Sequence, residues 1–145
     1  MKMKWIGPFK IMELLEKCFD ESRKPPEDNK AVYLVSKNKW EKIPNKDCEP
    51  LYVGSTTGKS KRFRTRVGDL LADMFGFYGE ETGHHSGGKS INGFCRENNI
   101  NPLGLYIGWT ANTGCIRCAE NKLFDDLEPK LNQNRPKRCD RRKKI

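Results

Sequence analysis

Ala31-Val32-Tyr33-Leu34-Val35 and Leu51-Tyr52-Val53-Gly54 decide how this chain folds. Both are short runs rich in β-branched and aromatic residues, bounded by polar sequence that carries proline or glycine. That composition reads as strand. The strands are predicted over about 31–36 and 50–54. Side chains alternate between faces along a strand, so Tyr33 shares a face with Ala31 and Val35. Pairing the two strands would bring Tyr33 beside Tyr52. The intervening residues 37–50 are polar and include Pro44 and Pro50. They read as a long hairpin connection or an insertion.

Outward from this pair, Ser55-Thr56-Thr57-Gly58 reads as a turn. Phe63, Val67, Leu70, Leu71 and Met74 then recur at helical spacing, predicting a helix over about 60–75 with one buried face. Residues 76–88 are glycine-rich and contain His84-His85-Ser86-Gly87-Gly88. A short helix is expected from Ser90 to Asn98 and a third strand from Leu103 to Trp109. A last helix, 115–127, ends before Pro129. Upstream, Phe9, Ile11, Met12, Leu14, Leu15, Cys18 and Phe19 fit an amphipathic helix over 9–19. The fold class expected is α/β in the α+β sense, with a small three-stranded antiparallel sheet flanked by helices. Residues 1–145 read as a single domain. It comprises an N-terminal helix and connector (1–30), a core (31–132) and a frayed basic tail (133–145).

Composition narrows the partners. Twenty-eight basic and nineteen acidic residues give a net charge of +9, which favours a polyanion such as nucleic acid. Hydrophobic content of 35% against 32% charged describes a modest core under a wide polar surface. No apolar run approaches the roughly 20 residues that span a bilayer. Lys10, Glu13, Glu16 and Lys17 interrupt any signal-peptide core, so a cytoplasmic location with reduced cysteines is expected, without membrane association.

Three groups of side chains carry chemistry. A tyrosine phenol can donate or accept one proton and orient a water against phosphate. Arginines on the helix after the second strand can neutralise charge on phosphate oxygens. In the last helix, Ile116, Ala119, Leu123 and Leu127 form the buried stripe and Glu120 lies just beside it. An acid there is costly without a partner. A divalent cation is such a partner, and a lone hard carboxylate with waters suits Mg²⁺ or Mn²⁺.

The ordered set of Ala31-Val32-Tyr33, Tyr52-Val53-Gly54, the arginine-dense helix, Glu120 and Leu131-Asn132 resembles the GIY-YIG nuclease domain, over about residues 31–132. The resemblance implies hydrolysis of nucleic-acid phosphodiesters, with Tyr33, Tyr52, an arginine, Glu120 and Asn132 at the site and Glu120 as metal ligand. Arg66, three residues after Phe63 and before Val67, best fits the family's arginine. Arg62, ten residues beyond Tyr52, is the second choice. A literal Tyr106-Ile107-Gly108 is set aside, because it has no preceding partner strand nearby and no arginine helix follows it. Some family members carry a histidine one turn after the arginine. Leu70 occupies that position here, so His84 or His85 from the glycine-rich loop would replace it, and His85 joins the candidate site. Lys59, Arg62, Arg64, Arg138, Arg141 and Arg142 are expected to contact double-stranded DNA through its phosphates. A dimer is possible.

The expected function is a metal-dependent, restriction-like endonuclease. The alternative is a non-catalytic nucleic-acid-binding module of the same fold. A third reading is a zinc-stabilised protein. Cys115 and Cys118 form a CxxC, but no second pair completes four ligands, so they read as small residues opening the glutamate helix.

Overall fold

The computed structural model describes residues 3–16, 30–56, 63–79, 86–111 and 114–139. Among them the order is β1 (Lys4–Lys10), α1 (Ile11–Glu16), β2 (Ala31–Ser36), β3 (Pro50–Thr56), α2 (Phe63–Met74), α3 (Ser86–Glu97), β4 (Tyr106–Ala111) and α4 (Ile116–Leu127). The fold is mixed α+β. The strands form one antiparallel sheet in the order β1-β4-β2-β3. It therefore has four strands, not the expected three.

The additional strand is β1. Its residues precede and overlap the start of the expected 9–19 helix, which is helical from Ile11 and whose residues 17–19 lie outside the described set. Gly7-Pro8 hides β1 in the sequence, because a proline argues against a central strand. Here β1 is an edge strand, and its register with β4 shifts between Ile6 and Phe9, at that glycine and proline. An edge position and a bulge are the places where a missing N–H is tolerated. Phe9 faces Trp109 with ring centroids 5.4 Å apart.

β2 is buried along its whole length, which explains an apolar run without polar alternation. Ala31, Tyr33 and Val35 point to a core shared with α1, α2 and α3, through Ile11, Phe63, Val67, Leu70 and Ile91. Val32 and Leu34 point to the other face. There they meet Val53 of β3 and the α4 stripe of Ile116, Ala119, Leu123 and Leu127. The 37–49 connection is a hairpin link that contributes to this second core. Trp40 and Cys48 are buried in it, and Trp5 meets Trp40 edge-on at 5.8 Å.

Tyr106-Ile107-Gly108 lies in β4, between β1 and β2. It thus has two partner strands, neither of which precedes it at close range in the sequence. Its tyrosine packs with the α4-side core, on the opposite face from Tyr33 and Tyr52.

The outer edge of β3 is covered by the chain after α4. Lys130 N–H donates to Pro50 O at 3.1 Å and Leu131 N–H to Leu51 O at 2.8 Å. The segment beyond is docked, not frayed, as far as Cys139. Arg135 forms a two-pronged ion pair with Asp125 (2.6 and 2.8 Å), and Asn121 Nδ2 donates to Lys137 O at 2.9 Å. The Arg135 guanidinium holds the Asp125 carboxyl below the usual carboxylate range. No described helix is long and apolar enough to cross a membrane.

Candidate active site

The antiparallel register sets Tyr33 opposite Gly54 and Val35 opposite Tyr52. The two tyrosines are therefore diagonal neighbours on one face, with ring centroids 6.1 Å apart. A β-carbon on Gly54 would run into the Tyr33 hydroxyl and the end of its ring. A glycine opposite Tyr33 lets the ring lie across the neighbouring strand. Tyr52 depends in the same way on Gly87 of α3, where a β-carbon would strike its ring. Gly87 had been read only as part of a glycine-rich loop.

Tyr33 is completely buried, and its ring packs 6.0 Å from Phe63. Burial, reinforced by the neighbouring Tyr52, pushes its phenol well above the usual tyrosine value. Burial also raises Tyr52, which the Arg66 guanidinium partly offsets. The side-chain contact between the two phenols adds to the rise at Tyr33 and eases it at Tyr52. A phenol this buried and this weakly acidic is a poor proton acceptor from water at neutral pH. Of the two roles open to Tyr33, proton acceptor or water-positioning group, its burial favours positioning.

Arg66 sits on the flank of α2, just before buried Val67, and is half-buried. Its charge acts on Tyr33, Tyr52 and Glu120 together. Arg64 lies on the same helix, also half-buried.

Glu120 comes from α4, on the other side of the sheet, beside the buried Ala119. Its Oε1 accepts from Ser55 Oγ at 2.9 Å. Burial pushes its carboxyl above the usual range, opposed by the Ser55 hydrogen bond and by Arg117 and Arg66. It acts electrostatically on both phenols in turn. Ser55 and Arg117 are the members that sequence reasoning missed. Ser55 had been read as a turn residue, but β3 continues to Thr56, which carries the Ser55 hydroxyl to α4. The strand alternation through Val53 and Ser55 was the available signal.

Asn132 makes a paired contact with the main chain of Val53. Its Oδ1 accepts from Val53 N–H and its Nδ2 donates to Val53 O, both at 2.9 Å. It braces β3 between Tyr52 and Gly54. Lys59, Arg62, His84, His85, Arg141 and Arg142 lie outside the described residues. Arg138 is exposed in the docked segment after α4. An open cavity of about 470 Å³ lies elsewhere, between the C-terminal parts of α2 and α3, where Met74, Phe75, Asn92 and Arg96 line it.

The cluster unites two phenols, one guanidinium and one half-buried carboxylate. Among the described residues, no second carboxylate joins Glu120 in a three-ligand group. One hard carboxylate fits a cation that keeps most of its waters, as Mg²⁺ does. Comparison with protein-family models, curated proteins and solved structures returned no match.

Proposed function

We propose that the protein is a metal-dependent endonuclease of GIY-YIG type that hydrolyses DNA phosphodiester bonds. The observation that carries this reading is the Tyr33–Tyr52 pair, ring centroids 6.1 Å apart, with the charges of Arg66 and of the Ser55-held Glu120 carboxylate near enough to act on both phenols. The net charge of +9 supports a polyanionic substrate.

In this reading Glu120 holds Mg²⁺ or Mn²⁺, with Ser55 fixing the orientation of its carboxylate. The bound cation supplies charge neutralisation at the scissile phosphate. Arg66 stabilises the negative charge that gathers on the non-bridging oxygens. Tyr33, packed beside Tyr52 with ring centroids 6.1 Å apart, holds the Tyr52 hydroxyl in position. Tyr52 then directs its own proton toward a non-bridging phosphate oxygen. Asn132 keeps Val53 in place and so sets the position of Tyr52 and Gly54. Arg64, Arg138, Lys59, Arg62, Arg141 and Arg142 supply phosphate contacts, and a loop histidine, His84 or His85, assists at the site.

The test is incubation of supercoiled plasmid with the protein in Mg²⁺ and in EDTA. Nicking or linearisation in Mg²⁺ and none in EDTA is expected. Salt-dependent binding with no cleavage in either condition would leave the non-catalytic module as the better account.

A further inference from the structure

We propose that Cys115, Cys118 and Cys139 form a site for a thiophilic divalent cation, Zn²⁺ by preference, which fastens the C-terminal segment to the amino end of α4. The three sulfurs lie within 4.8 Å of one another, and Cys115 Sγ is 3.4 Å from Cys139 Sγ. A Zn–S bond of about 2.3 Å in tetrahedral geometry separates sulfurs by roughly 3.8 Å, so these thiols already stand at ligand spacing. A polynuclear iron–sulfur cluster, whose cysteines bind different metal atoms, needs them farther apart.

The chain around the three sulfurs is held by contacts other than the sulfur–sulfur approach. Gly114 turns the chain with φ of +74° into Cys115, the N-cap of α4. The Cys118 N–H donates to Cys115 Sγ at 3.4 Å. Helix N-termini favour thiolate over thiol. Cys139 is brought back by the docked segment, through Arg135 on Asp125, Arg135 over the Phe124 ring and Asn121 on Lys137 O. The cluster is thus not a product of one accidental sulfur contact.

A bound cation takes the sulfurs as thiolates. Three thiolates around Zn²⁺ leave a fourth position for water or another donor, and a single negative charge. Arg117, Lys137 and Arg138, within two residues of the ligands, offset it. A Cys115–Cys139 disulfide would use two of the sulfurs and leave Cys118 outside.

This inference is independent of the nuclease reading, because it concerns soft ligands and is read without DNA. The full chain is prepared under reducing conditions from zinc-supplemented cells, and its metal is measured by elemental analysis. One zinc per chain is expected. Titrating the metal-stripped protein with Co²⁺ should give sulfur-to-metal charge transfer and tetrahedral ligand-field bands. Cys139→Ser should weaken zinc by more than about 100-fold, since even outer-shell partners are worth roughly 10–100-fold. The cobalt titration needs no variant, so a poorly folding mutant does not blunt the test. Absence of zinc and of cobalt–thiolate absorption in the reduced wild type would overturn the proposal. So would zinc retained undiminished by each single Cys→Ser variant, or a Cys115–Cys139 disulfide in the protein isolated without reductant.

Discussion

Replacing Gly54 by alanine tests whether the Tyr33 ring lies across β3. Gly54 has no positive φ, so alanine carries no backbone strain there. By narrowing the unfolded ensemble, the change alone would stabilise the protein by about 0.4–1 kcal/mol. Against that stands the clash of the new methyl with the Tyr33 hydroxyl and ring end. The ring cannot swing aside cheaply, because it is fully buried between Tyr52 and Phe63. Overpacking of this kind costs about 1–3 kcal/mol. Less the unfolded-state gain, the net cost is about 0.5–2.5 kcal/mol, which for a chain of this size lowers Tm by roughly 1–10 °C.

The same change made in a Tyr33→Leu background meets no ring, because leucine ends short of the atoms in question. Its cost there should fall below about 0.5 kcal/mol, or change sign. Urea unfolding followed by circular dichroism on the four proteins of the cycle measures the coupling, expected at about 1–2.5 kcal/mol. Additive effects, or a Gly54→Ala protein as stable as wild type, would refute the packing argument.

Asn132→Ala removes both hydrogen bonds to Val53 and should cost about 2–4 kcal/mol, lowering Tm by roughly 5–15 °C in a thermal melt. Glu120→Gln should raise the Tm of EDTA-treated protein at neutral pH. The native carboxyl sits above its unfolded value, so its protonated form favours the fold. That contribution is complete below the unfolded pKa and lost as pH rises through the native one. The variant's advantage should therefore vanish in acid, and a pH series of melts checks the sign. Arg66→Ala should slow cleavage by about 10²–10³ without matching loss of DNA affinity, measured in single-turnover assays. Tyr52→Phe should slow cleavage more than Tyr33→Phe, because only Tyr52 is partly exposed.

Much of this architecture is legible in the sequence, and the gaps have physical causes. The continuous apolar run of β2 and the stripes of α2 and α4 are dictated by local burial, and both survive in the fold. The face shared by Ala31, Tyr33 and Val35 follows from strand alternation and is observed. β1 escaped because Gly7-Pro8 is a breaker signal that an edge position neutralises. Ser55 escaped because Ser-Thr-Thr-Gly has turn composition, while its extended backbone is set by pairing with Val32. The thiol cluster escaped because Cys139 is 24 residues from Cys115 and is returned by Arg135 and Asn121, contacts that no local pattern encodes. The sequence places Tyr33 toward the attacking water and Tyr52 toward the phosphate, but says nothing of how deeply each is buried. The structure separates them by burial, complete at Tyr33 and partial at Tyr52.

The central claim, that this cluster cleaves DNA through Glu120, is tested most directly by comparing wild type with Glu120→Gln on one labelled duplex. Binding is read by gel shift in EDTA and cleavage after adding Mg²⁺. The account predicts equal binding, cleavage by wild type, and none above background by the variant. Cleavage by Glu120→Gln at the wild-type rate would contradict it.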